Sequence, residues 1–196
     1  MGSAVRKTTL REIRGTFGRF FAILAIIALG VGFFTGVRIT TPAMVNTVDQ
    51  YLNEKQLYDY RLLSTLGWQE EDITDFRSRP DVRAAEGAYS LDVMTISPKE
   101  YVLRVHSLTD NINGLRLTEG RMPQSPDECI VETKKFDIGS VVTISPENSD
   151  SVKNALKSDK FTVVGTADSS MYINFERGTT SVGNGEINAF MYLPKE

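Results

Sequence analysis

The chain has 196 residues, with 22 Lys+Arg, 25 Asp+Glu, one His and one Cys. That length allows a membrane anchor plus one domain of about 150 residues, or plus two small lobes. A single Cys excludes an internal disulfide, one His beside one Cys excludes a zinc site of ordinary type, and the net charge of −3 hides a strong split along the chain.

Residues 1–19 come first and are basic. Arg6, Lys7, Arg11, Arg14 and Arg19 face one acid, Glu12, for a net of +4. Within RKTTLREIRGTFGR, Leu10, Ile13 and Phe17 recur at spacings of three and four. This predicts a short amphipathic elbow helix, suited to the inner membrane interface. A plain basic tail is the alternative.

Phe20 to Val37, FFAILAIIALGVGFFTGV, runs 18 residues without a charged, amide or imidazole side chain. At a helical rise that is about 27 Å, close to the hydrocarbon thickness of a bilayer. The span 20–38 is therefore expected to be a transmembrane helix. A cleaved signal peptide is the rival, but the apolar run is long and no small-x-small site follows Val37 closely. Gly32 and Gly36 form a GxxxG, with Gly30 near them. Such spacing lets a second helix approach, although glycine is also common in membrane helices for other reasons.

Residues 39–196 carry 16 Lys+Arg against 24 Asp+Glu, a net of −8. Positive residues near a span tend to stay in the cytoplasm. The N-terminus is thus expected inside and the acidic 158 residues outside. An acidic outer part argues against a nucleic-acid surface. Thr41-Pro42 resembles a helix start, so residues 39–58 are expected to form a stalk helix. Asp59–Leu66 reads as a strand. Trp68–Arg79 reads as a short helix with Glu70, Glu71 and Asp72 in its first turn, ended by Pro80.

Strands follow at about Val82–Ile96, Tyr101–Ser107, Glu128–Glu132, Val141–Ser145, Phe161–Ala167 and Ile187–Leu193. A short helix is expected over Ser149–Ser158. Ala167–Gly185 is a long polar loop, a kind that often carries function, and Asn184-Gly185 is a candidate tight turn. Strands and helices mix without regular alternation, so the fold class is α+β, with one lobe or two.

Chemistry is hard to find. His106 sits in an apolar strand, as does Cys129, and nothing places them together. Glu70, Glu71, Asp72 and Asp75 lack the spacing of a calcium loop and read as a helix start. No phosphate-binding loop, dinucleotide fingerprint or nucleophile elbow is present. No catalytic, cofactor or metal residues are assigned; an enzyme is not expected, and an anchored outer enzyme is the least favoured reading.

Several stretches together carry a resemblance. They are Arg11-Glu12-Ile13-Arg14 leading to Gly18-Arg19-Phe20; Leu62–Gly67 followed by Glu71-Asp72-Ile73; Pro80-Asp81-Val82 with Glu86-Gly87; Glu119-Gly120-Arg121-Met122-Pro123 with Asp127-Glu128; Phe136-Asp137-Ile138-Gly139; and Phe161–Thr166. In this order they resemble the start of an FtsX-like ABC transporter permease, whose first membrane helix precedes a MacB-like extracytoplasmic core domain, here residues 59–196. The resemblance implies a cytoplasmic ABC ATPase subunit as partner, along with further transmembrane helices or a second permease copy. It implies more membrane helices after Glu196, and a mechanical role in peptide or lipid export, extraction or envelope regulation. A single-pass anchored binding or sensor module is the alternative.

Overall fold

The computed structural model describes Thr8, Thr9, Arg11 and residues 13–195. The chain divides into two compact units, Met1–Gln50 and Tyr51–Glu196.

In the first unit, Thr8, Thr9, Arg11 and residues 13–15 are helical. Leu10, Glu12, Arg6 and Lys7 lie outside the described residues. Helix α1 spans Phe17–Glu54 and none of its side chains is buried. It is long and apolar enough to cross a membrane. Thr41-Pro42, expected as a helix start, is not one: Pro42 lies inside the helix and no new helix starts there. Proline removes one ladder bond at a cost of up to about 3 kcal/mol, but the turns on both sides are already nucleated, so the helix runs on past it. Thr40 Oγ1 donates to Gly36 O at 2.8 Å and Thr47 Oγ1 to Ala43 O at 2.9 Å, tying the turns around Pro42.

The helix ends at Glu54, four residues short of the expected Tyr58. Gln56 takes a left-handed φ of 49°, and the carbonyls of Lys55 and Gln56 accept the N–H groups of Gly114 and Asn113. Residues 59–66, expected as a strand, form no ladder; they are irregular and largely exposed. Their β propensity is real, but no strand among the described residues pairs with them.

Helix α2, Glu70–Arg77, matches its sequence signal. Asp72 Oδ2 accepts the Gln69 N–H at 2.8 Å, and Glu70 meets Arg77 at 3.4 Å. Its acids therefore cap a helix start, as expected. Ile73 is buried beneath it, and Trp68 packs edge-on to Phe76 at 5.4 Å.

The rest of the second unit is built around one closed sheet. Its strands are β1 Ser90–Ser97, β2 Val102–Ser107, β3 Leu115–Gly120, β4 Glu128–Glu132, β5 Val141–Ile144, β6 Lys160–Ser169 and β7 Ala189–Leu193, with helix α3, Asp150–Ala155, between β5 and β6. The order is β3-β6-β4-β7-β2-β1-β5, and β5 also pairs with β6. Six strands thus close a ring, and closure removes most of the edge. β6 is long enough to serve two neighbours on one side. Its start, Lys160–Thr162, pairs with β5, and Gly165–Ser169 pairs with β3. The class is α+β, and Tyr51–Glu196 forms a single compact unit.

Strand alternation sorts the side chains. Val93, Leu103, Val105, Cys129, Val131, Val142, Phe161, Val163, Ala189 and Met191 fill the interior with Phe136. Each Val, Leu, Phe or Met side chain among them contributes about 1.5–3 kcal/mol on burial. The outer face carries a second cluster of Ile130, Ala167, Phe190 and Tyr192.

Two regions of the sheet differ most from the sequence reading. The expected strand from Val82 begins only at Ser90, and Leu115–Gly120 is a strand that the sequence reading missed. Both regions carry weak alternation. β3 is mostly exposed, so little patterning marks it.

Candidate functional site

The long polar loop is the feature that the sequence singles out, and the fold gives it a place. Residues 170–188 follow β6 and cross the outer face of the closed sheet as a strap. Alternation turns Asp92, Arg104, His106, Glu132, Phe190 and Tyr192 toward that face. His106 is paired in register with Tyr192, and Ile130 is paired with Tyr192 from the other side.

Several polar fastenings hold the strap, and three involve charged or ring side chains of the sheet face. Arg177 grips the buried Glu132 with two bonds, Nη2 to Oε1 at 2.7 Å and Nε to Oε2 at 3.2 Å. Arg177 Nη1 also donates to Asn174 O, and its guanidinium lies 5.8 Å from the Tyr172 ring centre. Arg104 is bidentate to Asp92 at 2.7 and 2.8 Å, and reaches Thr179 O at 3.2 Å. His106 Nε2 and the Tyr172 hydroxyl are 2.6 Å apart. Beneath the strap, Tyr172 stacks on Phe190 at 4.8 Å, and Tyr192 OH meets Ser169 Oγ at 2.8 Å. Paired and hydrogen-bonded charges of this kind can be buried without the full desolvation penalty.

Electrostatics follow from the geometry. Burial, with the charges of Arg61 and Arg104, lowers His106 to about 4, so it is neutral at physiological pH. Burial pushes the Tyr172 hydroxyl up to about 12 against the opposing pull of Arg104, Arg61 and Arg177. Burial alone would raise Asp92, but hydrogen bonds from Arg104 and Thr180 outweigh it and hold the carboxyl below its ordinary value. None of these shifts brings a group toward the neutral range that proton transfer at pH 7 favours. The arrangement is suited to holding a loop in one conformation.

The other sequence candidates are spread apart. Cys129 points into the interior, and burial pushes its thiol up to about 12. His106 lies on the outer face of the same sheet, so the two cannot form a nucleophile pair. Gly32 and Gly36 lie on α1, where a Cβ would meet nothing within 4 Å, and no other element packs on them among the described residues. Glu119-Gly120-Arg121-Met122-Pro123 resolves into a structural corner. Gly120 ends β3 at φ 77°, and Arg121 clasps Glu128 at 2.8 and 2.5 Å across the turn into β4. That clasp, with the Gln124 N–H, lowers Glu128 to about 2.

A cleft of about 630 Å³ opens elsewhere in the unit, lined by Arg77, Glu86, Asp110, Asn111 and Lys195 among others. Three of its charged side chains, Glu86, Arg77 and Lys195, are occupied. Glu86 accepts the Asp110 and Asn111 N–H groups, Arg77 Nε donates to Ala85 O, and Lys195 Nζ donates to Gly87 O. Reasoning from the sequence missed the strap's anchors. The available signal was the acid or arginine set among apolar residues in strands, as at Asp92, Arg104 and Glu132.

No family model matches the chain, and no curated protein matches it. Among solved structures, the extracellular domain of the noncanonic ABC-type transporter YknZ from Gram-positive bacteria is similar, at 12% identity and a TM-score of 0.41, covering 71% of this chain and 70% of that one.

Proposed function

We propose that this chain is the N-terminal part of an FtsX-like ABC transporter permease. In this reading α1 spans the bilayer with the basic N-terminus inside. Residues after about 38 lie outside, with 59–196 as a MacB-like core domain. A separate cytoplasmic ATPase supplies the energy, and the outer domain moves without making or breaking bonds itself. The cargo class is a peptide or lipid, or the output is regulation of an envelope enzyme.

One observation carries the reading. Helix α1 runs 38 residues without a break, about 57 Å, well beyond the bilayer's hydrocarbon core. A continuous helix transmits displacement, whereas a flexible linker would absorb it. The basic elbow, the acidic outer part and the motif order support the same assignment.

The test uses the full-length gene product in detergent. A cytoplasmic ATPase should co-purify with it, and a helix-breaking insertion beside Asn46 should abolish transport while leaving membrane insertion intact. Transport that survives the insertion overturns the coupling role, and a chain that never recruits an ATPase overturns the permease reading. The second reading, an anchored binding or sensor module, is favoured by the strap's tip, where Phe175 is 98% exposed and Ile173 56% exposed. That reading expects the anchored chain to work without any ATPase.

A further inference from the structure

The segment that reads as a strand and finds no neighbour is the most unusual surface of the second unit. From Asp59 to Leu63 no backbone N–H donates to another residue among the described part of the chain. Tyr60 is 88% exposed, Leu62 58% and Leu63 77%. Asp59 and Arg61 have no ion-pair partner among the described residues, although Arg61 lies near enough to act on His106 and Tyr172. Exposed backbone whose N–H groups are unpaired, with apolar side chains beside it, can template strand addition.

The sequence around Tyr60 is self-complementary when read antiparallel. Placing Tyr60 opposite Tyr60 of a second copy sets Asp59 against the second copy's Arg61, and Arg61 against its Asp59. The next pairs outward are Tyr58 with Leu62 and Leu57 with Leu63. Every pair is thus aromatic, apolar or of opposite charge, the combinations that stabilise neighbouring strands. A two-fold axis through Tyr60 generates all of them at once, as an isologous contact requires. We infer that residues 59–61 and their flanks form a two-stranded antiparallel ribbon with the same segment of a second copy of this chain.

The centre of the ribbon is free to pair. Leu57 N–H is already given to Leu52 O and Tyr58 N–H to Asn113 Oδ1, and Leu62 O already accepts the Trp68 indole N–H at 3.4 Å, so the contact is short. A ribbon of this length falls well below the roughly 1,200 Å² of a stable interface. Pairing therefore depends on copies confined in one bilayer, which raises their effective concentration. In this respect it rests on the anchored reading of α1.

The experiment keeps the two apart. The full chain is reconstituted into liposomes, and flotation reports anchoring. Tyr60→Cys and Leu63→Cys chains are then treated with a mild oxidant. Directly opposed Cβ atoms lie within disulfide reach, whereas residues three positions from the axis do not. Cys129 is buried, so the unsubstituted chain serves as the blank. Tyr60→Cys should give mostly disulfide-linked dimer and Leu63→Cys almost none. Adding Asp59→Arg to Tyr60→Cys should cut the dimer, and adding Arg61→Asp as well should restore it. Floating liposomes with no Tyr60→Cys dimer, or with equal cross-linking at both positions, overturn the ribbon while leaving the anchor intact. Failure to float overturns the anchor.

Discussion

Gly120 and Gly165 stand opposite each other where β3 meets β6, and neither has room for a side chain. A Cβ on Gly165 would lie 2.5 Å from Arg121 O, and one on Gly120 would lie 2.8 Å from Gly165 Cα. Gly120 also needs its positive φ of 77°. The two backbones touch because the chain must turn from β3 into the Arg121–Glu128 corner at this point. Gly165→Ala should therefore cost about 1–3 kcal/mol through forced backbone displacement. Thermal unfolding of the full chain in detergent measures it, and an unchanged midpoint would remove the close approach as an explanation.

The strap's strongest fastening is Arg177 on Glu132. Arg177→Ala leaves a buried carboxylate with its charge partner gone. That should destabilise the unit by about 3–5 kcal/mol, whereas replacing both partners with apolar residues should cost much less. Hydrogen exchange across residues 170–188 should rise in the single variant. Equal costs for the single and double changes would show that the pair is not the fastening.

Acid should weaken the unit in two windows. His106 is held neutral at about 4, below its ordinary 6.5. The unfolded chain therefore binds a proton that the folded chain refuses, and stability falls as pH drops from 6.5 toward 4. Glu128 is lowered from 4.5 to about 2, so its contribution is lost as pH falls through that lower range. Chemical denaturation at several pH values tests both. In His106→Gln the decline between 6.5 and 4 should flatten while the lower one persists.

Pro42 sits inside α1 and removes one backbone bond. Pro42→Ala should restore it and raise helix stability by up to about 3 kcal/mol. Thermal loss of the helical circular dichroism signal in detergent reads the change. A lower helix content in the variant would mean that proline sets the conformation there.

The amino-acid sequence by itself determined the apolar helix, the charge split across it, the α+β class and most strands, because each rests on local periodicity or composition. It also marked the long polar loop. Tertiary structure alone decided that the sheet closes through β5 on β6, that the loop becomes a strap on Glu132, Asp92 and His106, and that residues 59–66 are left without a ladder. Those outcomes depend on which distant strands become neighbours, and pairing partners leave no local trace in a single chain. The same limit explains β3, whose exposed surface offered no pattern until β6 lay beside it, and Pro42, where a local helix-start signal was overridden by one helix running through it.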